Sequence, residues 1–106
     1  MGAAAEKEFL KFPAVAQTQM RAALEIAAAG EMADIAKPMK GIEAGVYELR
    51  VAYRTDAYRA IYTVRVGADI WVVHAFQKKS KQGIKTPKKE IDLIRSRLKR
   101  LKEMYR

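Results

Sequence analysis

Four basic residues of the sequence have the type and the spacing to bind a phosphate group. Arg50 and Arg59 lie on the less apolar sides of two alternating segments, and Lys78 and Lys79 follow a third apolar segment. If the three segments are neighbouring strands, the four side chains can converge on one phosphate. Guanidinium and ammonium groups stabilise the negative charge that develops on a reacting phosphoryl group. All four residues are therefore candidate catalytic residues.

Each of these cations also has a structural interpretation, which the sequence leaves open. The two arginines can be ion-pair partners of an acid such as Glu48 or Asp56, and the two lysines can be the solvated start of a loop. Glu48 is itself ambiguous, because its carboxylate can act as a base or pair with one of the arginines.

Two further side chains precede these lysines in the sequence. His74 is the chain's single histidine, and its ordinary pKa suits proton transfer near neutrality. Because it shares a predicted strand face with Val72 and Phe76, a hydrogen-bonded core histidine is favoured over a catalytic one. Phe76 stands beside the basic loop and is a candidate platform on which a base of RNA can stack.

Three strands must position these residues. The segments are rich in Val, Ile, Tyr and Trp, and the first two alternate apolar with polar positions. Turns are predicted at Thr55-Asp56 and over 67–69, which gives an antiparallel meander. The predicted strands are Val46–Tyr53, Tyr58–Val66 and Ile70–Gln77.

Helices are predicted on both sides of the strands. A helical turn at Glu6–Phe9 precedes a longer helix over Ala14–Ala29, which begins after Pro13 and ends at Gly30. A basic amphipathic helix is predicted over Thr86–Tyr105, with Thr86 as its N-cap. The order of elements predicts an α+β fold, in which a small antiparallel sheet packs against an N-terminal helical hairpin and carries a C-terminal basic helix.

Composition and charge narrow the class of protein. At 106 residues the chain has the size of one domain, which we assign to residues 1–106. The absence of cysteine excludes disulfides and thiolate metal sites, and neither a secretory signal nor an apolar run of membrane-spanning length is present. We expect a cytoplasmic protein with no membrane partner, no cofactor and no metal.

The formal net charge of +9 is confined to one end of the chain. Residues 1–77 contain nine Lys and Arg and nine Asp and Glu, whereas residues 78–106 contain twelve and three. A localised basic surface attracts polyanions such as RNA, in a way that weakens with added salt. The candidate RNA- and ribosome-binding residues are Phe76, Lys81, Lys85, Lys88 and Lys89.

Four short motifs in the right order resemble phage-derived toxin-like proteins of the HigB/RelE superfamily. They are the segment Gly45–Arg50, the pair Tyr58-Arg59 with Tyr62, the segment His74–Ser80 and the segment Lys85–Ile91. The resemblance extends from about Phe12 through the C-terminal helix.

This resemblance implies a toxin of a type II toxin–antitoxin pair. Such a toxin is a metal-independent, ribosome-dependent endoribonuclease that cuts messenger RNA in the ribosomal A site and is silenced by an antitoxin, often a helix-turn-helix protein. By the same resemblance, Arg50 matches a basic position of the first meander strand. Arg59 matches an arginine implicated in catalysis, and Lys78 or Lys79 lies near a second one.

Two departures from the family pattern keep an alternative function open. Family members usually open with a β-strand before the helical hairpin, whereas this chain begins almost directly at its first helix, so we expect that strand to be missing. Glu48 stands where some relatives carry a lysine. The alternative is a non-catalytic binding module of the same fold, either a ParE-like inhibitor of a protein target or a phage-encoded structural or regulatory protein.

Overall fold

A four-stranded antiparallel sheet, with helices on both faces, forms the centre of the computed structural model. The strands follow one another in the order β1-β2-β3-β4. The structure describes residues 1–64, 66–67, 69–79 and 86–105, and of Lys79 it describes the backbone. The elements are α1 (Ala3–Phe9), α2 (Ala14–Ala28), β1 (Ala36–Pro38), β2 (Val46–Tyr53), β3 (Asp56–Thr63), β4 (Trp71–Lys79) and α3 (Lys88–Met104).

The N-terminal helices cover one face of the sheet. Helix α2 presents a stripe of small and apolar side chains, among them Ala16 and Met20, to Leu49, Tyr58 and Ala60 of the sheet. Alanines at the contact let the helix approach the strands closely. The predicted hairpin and the predicted α+β class are therefore confirmed.

Gly30 ends α2 as predicted. It has φ of 88°, and its N–H donates to the carbonyl of Ala27 while the N–H of Glu31 donates to that of Ile26. These two bonds satisfy carbonyls that the end of a helix leaves free, in a turn that favours glycine.

Helix α3 covers part of the opposite face. Ile94 and Leu98 are buried against Val46, Ile61 and Val73 of the sheet. Tyr105 was predicted to be the last residue of the apolar stripe of this helix. It is instead more than half exposed, and its ring lies 5.1 Å from that of Trp71. The buried cluster beneath α3 does not include the other end of this face, near the turn between β2 and β3.

A β-bulge in β4 changes which side chains share a face. Ile61 pairs with His74 while Tyr62 pairs with Val72, so Val73 is the extra residue. Val72 therefore packs towards the N-terminal helices, whereas His74 faces α3. The prediction that Val72 and His74 share a face is wrong for this reason.

The structure corrects the predicted elements in several places. The segment before the meander contains a short strand, β1, that the sequence did not predict. The turn between β2 and β3 lies at Arg54-Thr55, and β4 continues through Lys78 and Lys79, which are strand residues and not the start of a loop. Pro87 is the N-cap of α3, so the predicted cap residue Thr86 lies one position outside the helix.

Among the helices that the structure describes, none is long and apolar enough to cross a membrane.

Candidate active site

Strand register aligns the predicted cations on the sheet face that α3 partly covers. Arg50 of β2 lies directly opposite Arg59 of β3, which in turn lies opposite Phe76 of β4. Lys78 is opposite Ala57, two residues before Arg59, so it points to the same face. The sheet thus brings Arg50, Arg59 and Lys78 together, as the alternation predicted.

Arg59 is buried, with 2% of its surface exposed, and is held by Glu48. Its Nη1 is 3.1 Å from Oε2 and 3.3 Å from Oε1 of that carboxylate, which belongs to the neighbouring strand. The Thr86 hydroxyl lies 3.4 Å from the same nitrogen and donates to Glu48 Oε2 over 3.2 Å. Of the two sequence interpretations of Glu48, the structure shows the ion pair.

Thr86 joins this pair to the start of α3. Because the hydroxyl contacts both charged groups, it ties the beginning of the helix to β2 and β3. The sequence pattern indicated a helix cap at this position, and only the three-dimensional contact reveals its role at the site.

Lys78 is also buried, with 4% of its surface exposed. Burial lowers the pKa of its ammonium group, and the positive charges of Arg59 and Arg50 lower it further, while Glu48 opposes the shift. An ammonium group in this environment releases its proton more readily than an ordinary lysine. That property suits a group that must donate a proton near neutral pH.

Arg50 is the exposed cation of the set and faces an open cleft of about 780 Å³. Glu48, Arg59 and Thr86 line the same cleft. Strand β1 and its flanking residues line the cleft as well, with apolar side chains, the exposed carboxylate of Asp34 and two exposed lysines, Lys37 and Lys40. Sequence reasoning missed both lysines. Only the pairing of β1 with β2, which places Lys37 opposite Glu48, reveals that Lys37 belongs to the site.

The predicted RNA-binding residues that the structure describes do not join this cluster. Phe76 has 7% of its surface exposed, and its ring lies 5.4 Å from that of His74, so it does not form a surface platform for an RNA base. Lys88 and Lys89 are exposed at the start of α3, and Lys88 forms a solvated ion pair with Asp92. The predicted positions Lys81 and Lys85, and the side chain of Lys79, lie outside the described residues.

His74 belongs to a separate buried network that joins β4 to α3. Its Nδ1 is 2.6 Å from Nη1 of Arg97, which can only donate, so Nδ1 accepts. The Nε2–H therefore donates to Oε1 of Glu90, also at 2.6 Å. Burial lowers the pKa of His74, and Arg97 lowers it further against the opposing effect of Glu90. The prediction of a hydrogen-bonded core histidine is confirmed.

The cluster is chemically suited to an anion. Arg50, Arg59 and Lys78 carry three positive charges around the carboxylate of Glu48, next to a cleft that is open to solvent and that Asp34 also lines. Preorganised cations in a partly dehydrated site stabilise charge on a phosphoryl group more strongly than the same groups in water.

An antiparallel sheet between an N-terminal helical hairpin and a C-terminal helix, with cations at the open end of one face, is consistent with a RelE-like fold. A family model narrows this class. Residues 7–99 match the family described as phage derived protein Gp49-like (DUF891), and the chain belongs to that family. Neither a curated protein nor a solved structure matches the chain.

Proposed function

We propose that this protein is the toxin of a type II toxin–antitoxin pair and acts as a metal-independent, ribosome-dependent endoribonuclease on messenger RNA. The observation that carries the proposal is the convergence of Arg50, Arg59 and Lys78 beside an open cleft. Membership of the Gp49-like family, together with the resemblance to HigB/RelE toxins, supports a toxin-like module.

The proposed reaction uses the side chains of the cluster and solvent in the open cleft, which accepts the proton of the attacking hydroxyl. A 2′-hydroxyl of the RNA attacks the adjacent phosphorus in line, its oxygen forms the new bond to phosphorus, and the bond to the 5′-oxygen breaks. Arg50 and Arg59 stabilise the doubly negative phosphorane. Lys78, whose pKa is lowered by burial and by the arginines, donates a proton to the departing 5′-oxygen.

The partner surfaces are part of the same proposal. The basic excess of residues 78–106 includes the exposed residues Lys88, Lys89, Lys99 and Arg100 of α3. We propose that this surface binds ribosomal or messenger RNA through phosphate contacts. A helix-turn-helix antitoxin would silence the protein by covering this surface or the adjacent cleft.

Burial of Arg59 and Phe76 favours a second candidate function. A guanidinium held by Glu48 and an aromatic ring inside the fold are what a structural cluster needs, and a protein that binds a target without cutting RNA can retain both. This candidate is a non-catalytic module that inhibits a protein target.

Expression in a bacterial host with primer extension on translated messages tests the proposal. The enzyme produces growth arrest together with discrete message ends, and these ends vanish when translation is blocked. The non-catalytic module produces growth arrest with intact messages, which would overturn the proposal.

The test needs a variant that leaves the fold unchanged. Arg50→Ala removes an exposed cation of the cleft, and Lys7→Ala removes an exposed cation of α1, on the opposite side of the sheet. Cleavage should fall with the first and persist with the second. Equal cleavage by both variants would exclude Arg50 from the site of the reaction.

A further inference from the structure

Glu48 lies where an incoming phosphate would have to bind. Its two carboxylate oxygens approach the same nitrogen of Arg59, at 3.1 and 3.3 Å, and the carboxylate lines the open cleft. Arg50 and Lys78 are close enough for their charges to act on the same group of side chains. A phosphate that is to contact Nη1 of Arg59 from the cleft must therefore take over positions that the Glu48 oxygens fill.

We infer that Glu48 is a resident anion that holds Arg59 until a phosphate displaces it, and that Lys37 receives the displaced carboxylate. The inference rests on the proposed function, because it concerns how the proposed site admits its substrate. In the closed arrangement Glu48 binds Arg59; in the open arrangement Glu48 binds Lys37 and a phosphate binds Arg59.

The position of Lys37 supports the second arrangement. It lies directly opposite Glu48 in the register of β1 and β2, so the two side chains point to the same face of the sheet. Lys37 is exposed and lines the same cleft. Because side chains of directly opposite strand residues lie within reach of each other, the inferred exchange requires only a change of side-chain rotamer at Glu48.

The environment of Glu48 makes the closed arrangement stable but reversible. The Thr86 hydroxyl donates to Oε2 and helps to hold the carboxylate, whereas 15% of the Glu48 side chain is still exposed to the cleft. A bound phosphate brings its own negative charge and replaces the lost partner of Arg59, so the guanidinium is never left without a counterion. A neutral ligand cannot make this exchange.

Binding of a short 2′-O-methyl RNA oligonucleotide tests the inference without any cleavage, because the probe lacks the attacking hydroxyl. Glu48→Gln should bind the oligonucleotide about tenfold more tightly than the natural protein, since a competing and repelling charge is gone. Glu25→Gln is the matched control, because it makes the same change in net charge at an exposed position of α2, on the opposite side of the sheet. It should stay within about twofold of the natural protein.

A double-mutant cycle distinguishes two roles of Lys37, receiving the Glu48 carboxylate and binding the phosphate directly. If Lys37 acts by receiving Glu48, Lys37→Ala weakens binding in the natural protein and has no effect in the Glu48→Gln background. An equal effect in both backgrounds means that Lys37 binds the phosphate directly, which would overturn the exchange.

Thr86→Val keeps the test decisive if Glu48→Gln does not fold. This variant removes the hydroxyl that holds Glu48 and should also tighten binding, by a smaller factor than the loss of the charge. Unchanged or weaker binding in a folded Glu48→Gln, or in Thr86→Val, would overturn the inference. Tighter binding by both, in a protein that cuts no message, would instead overturn the proposed endoribonuclease function.

Discussion

The Arg59 guanidinium and the Glu48 carboxylate form an ion pair across neighbouring strands, with Nη1 3.1 Å from Oε2 and side chains that are 3% and 15% exposed. The pair lies between the core beneath α3 and the open cleft. Arg59 is therefore a structural residue as well as a candidate catalytic one, and experiments on it must separate the two roles.

Substituting Arg59 should cost stability. We expect Arg59→Ala to lower the free energy of unfolding by roughly 3 kcal/mol, because it leaves the mostly buried Glu48 carboxylate without its arginine. Replacing both partners together, as Arg59→Met with Glu48→Leu, should recover much of the loss. Urea denaturation measures both variants. If Arg59→Ala unfolds at the same urea concentration as the natural protein, the ion pair contributes nothing to stability.

Substituting Arg50 should affect activity and leave stability nearly unchanged. The side chain is exposed at the cleft, so we expect Arg50→Ala to change the free energy of unfolding by less than about 0.5 kcal/mol. Loss of one donor to the transition state should lower the rate of cleavage on the order of 100- to 1000-fold. Thermal unfolding and primer extension measure the two quantities. A fully active Arg50→Ala would remove Arg50 from the catalytic set.

Association with ribosomes should weaken with added salt, and the lysines at the start of α3 should contribute to this salt dependence. Lys88 and Lys89 are exposed there, and each phosphate contact that is lost should reduce the slope of log affinity against log salt by about 1. Sedimentation with ribosomes at several salt concentrations measures the slope for the Lys88→Ala/Lys89→Ala double variant. Lys7→Ala should keep the slope of the natural protein. An unchanged slope in the double variant would place the contact elsewhere.

Stability should fall in mild acid because of His74. The folded protein lowers the pKa of this histidine below its ordinary 6.5, mainly by burial, with Arg97 adding to the effect and Glu90 and Glu8 opposing it. Below about pH 6.5 the unfolded chain binds a proton that the folded protein resists, so stability decreases as pH falls through this window. Above it His74 is neutral in both states and contributes no pH dependence.

His74→Gln isolates this effect. We expect the natural protein to lose more stability than the variant between about pH 7.5 and pH 5.5, measured by urea denaturation at each pH. Carboxylates that titrate over the same range contribute to both proteins and cancel in the comparison. Equal losses would mean that the histidine network does not govern the acid response.

Much of the fold could be predicted because its signals are local. Alternation of apolar and polar residues over 46–53 predicted β2 with its correct limits, and Ile94, Leu98 and Leu101 recur at helical spacing and are buried in α3. The strand β1 was missed because three residues that include Pro38 have no alternation to detect. It exists only because β2 offers a free edge with which to pair.

The candidate site was predictable in part for the same reason. The alternation of side chains along each strand placed Arg50 and Arg59 on one face of the sheet, and the antiparallel pairing of β2 with β3 placed them opposite each other. Alternation failed at β4 for Val72, because the bulge at Val73 moves it to the side of the N-terminal helices, whereas His74 keeps the face of Phe76 and Lys78. A single extra residue in one strand leaves no mark in the composition of the segment.

Local sequence patterns are sufficient to predict the type and order of most elements, the concentration of positive charge after residue 77 and the cations that share a face. Tertiary structure alone decided which of those cations are buried. Arg59 and Lys78 lie inside the fold and Arg50 lies at the open cleft, although all three are basic residues of neighbouring strands. Periodicity is fixed by the geometry of one element, whereas burial and ion pairing depend on which distant residues, such as Glu48 and Thr86, are brought against it.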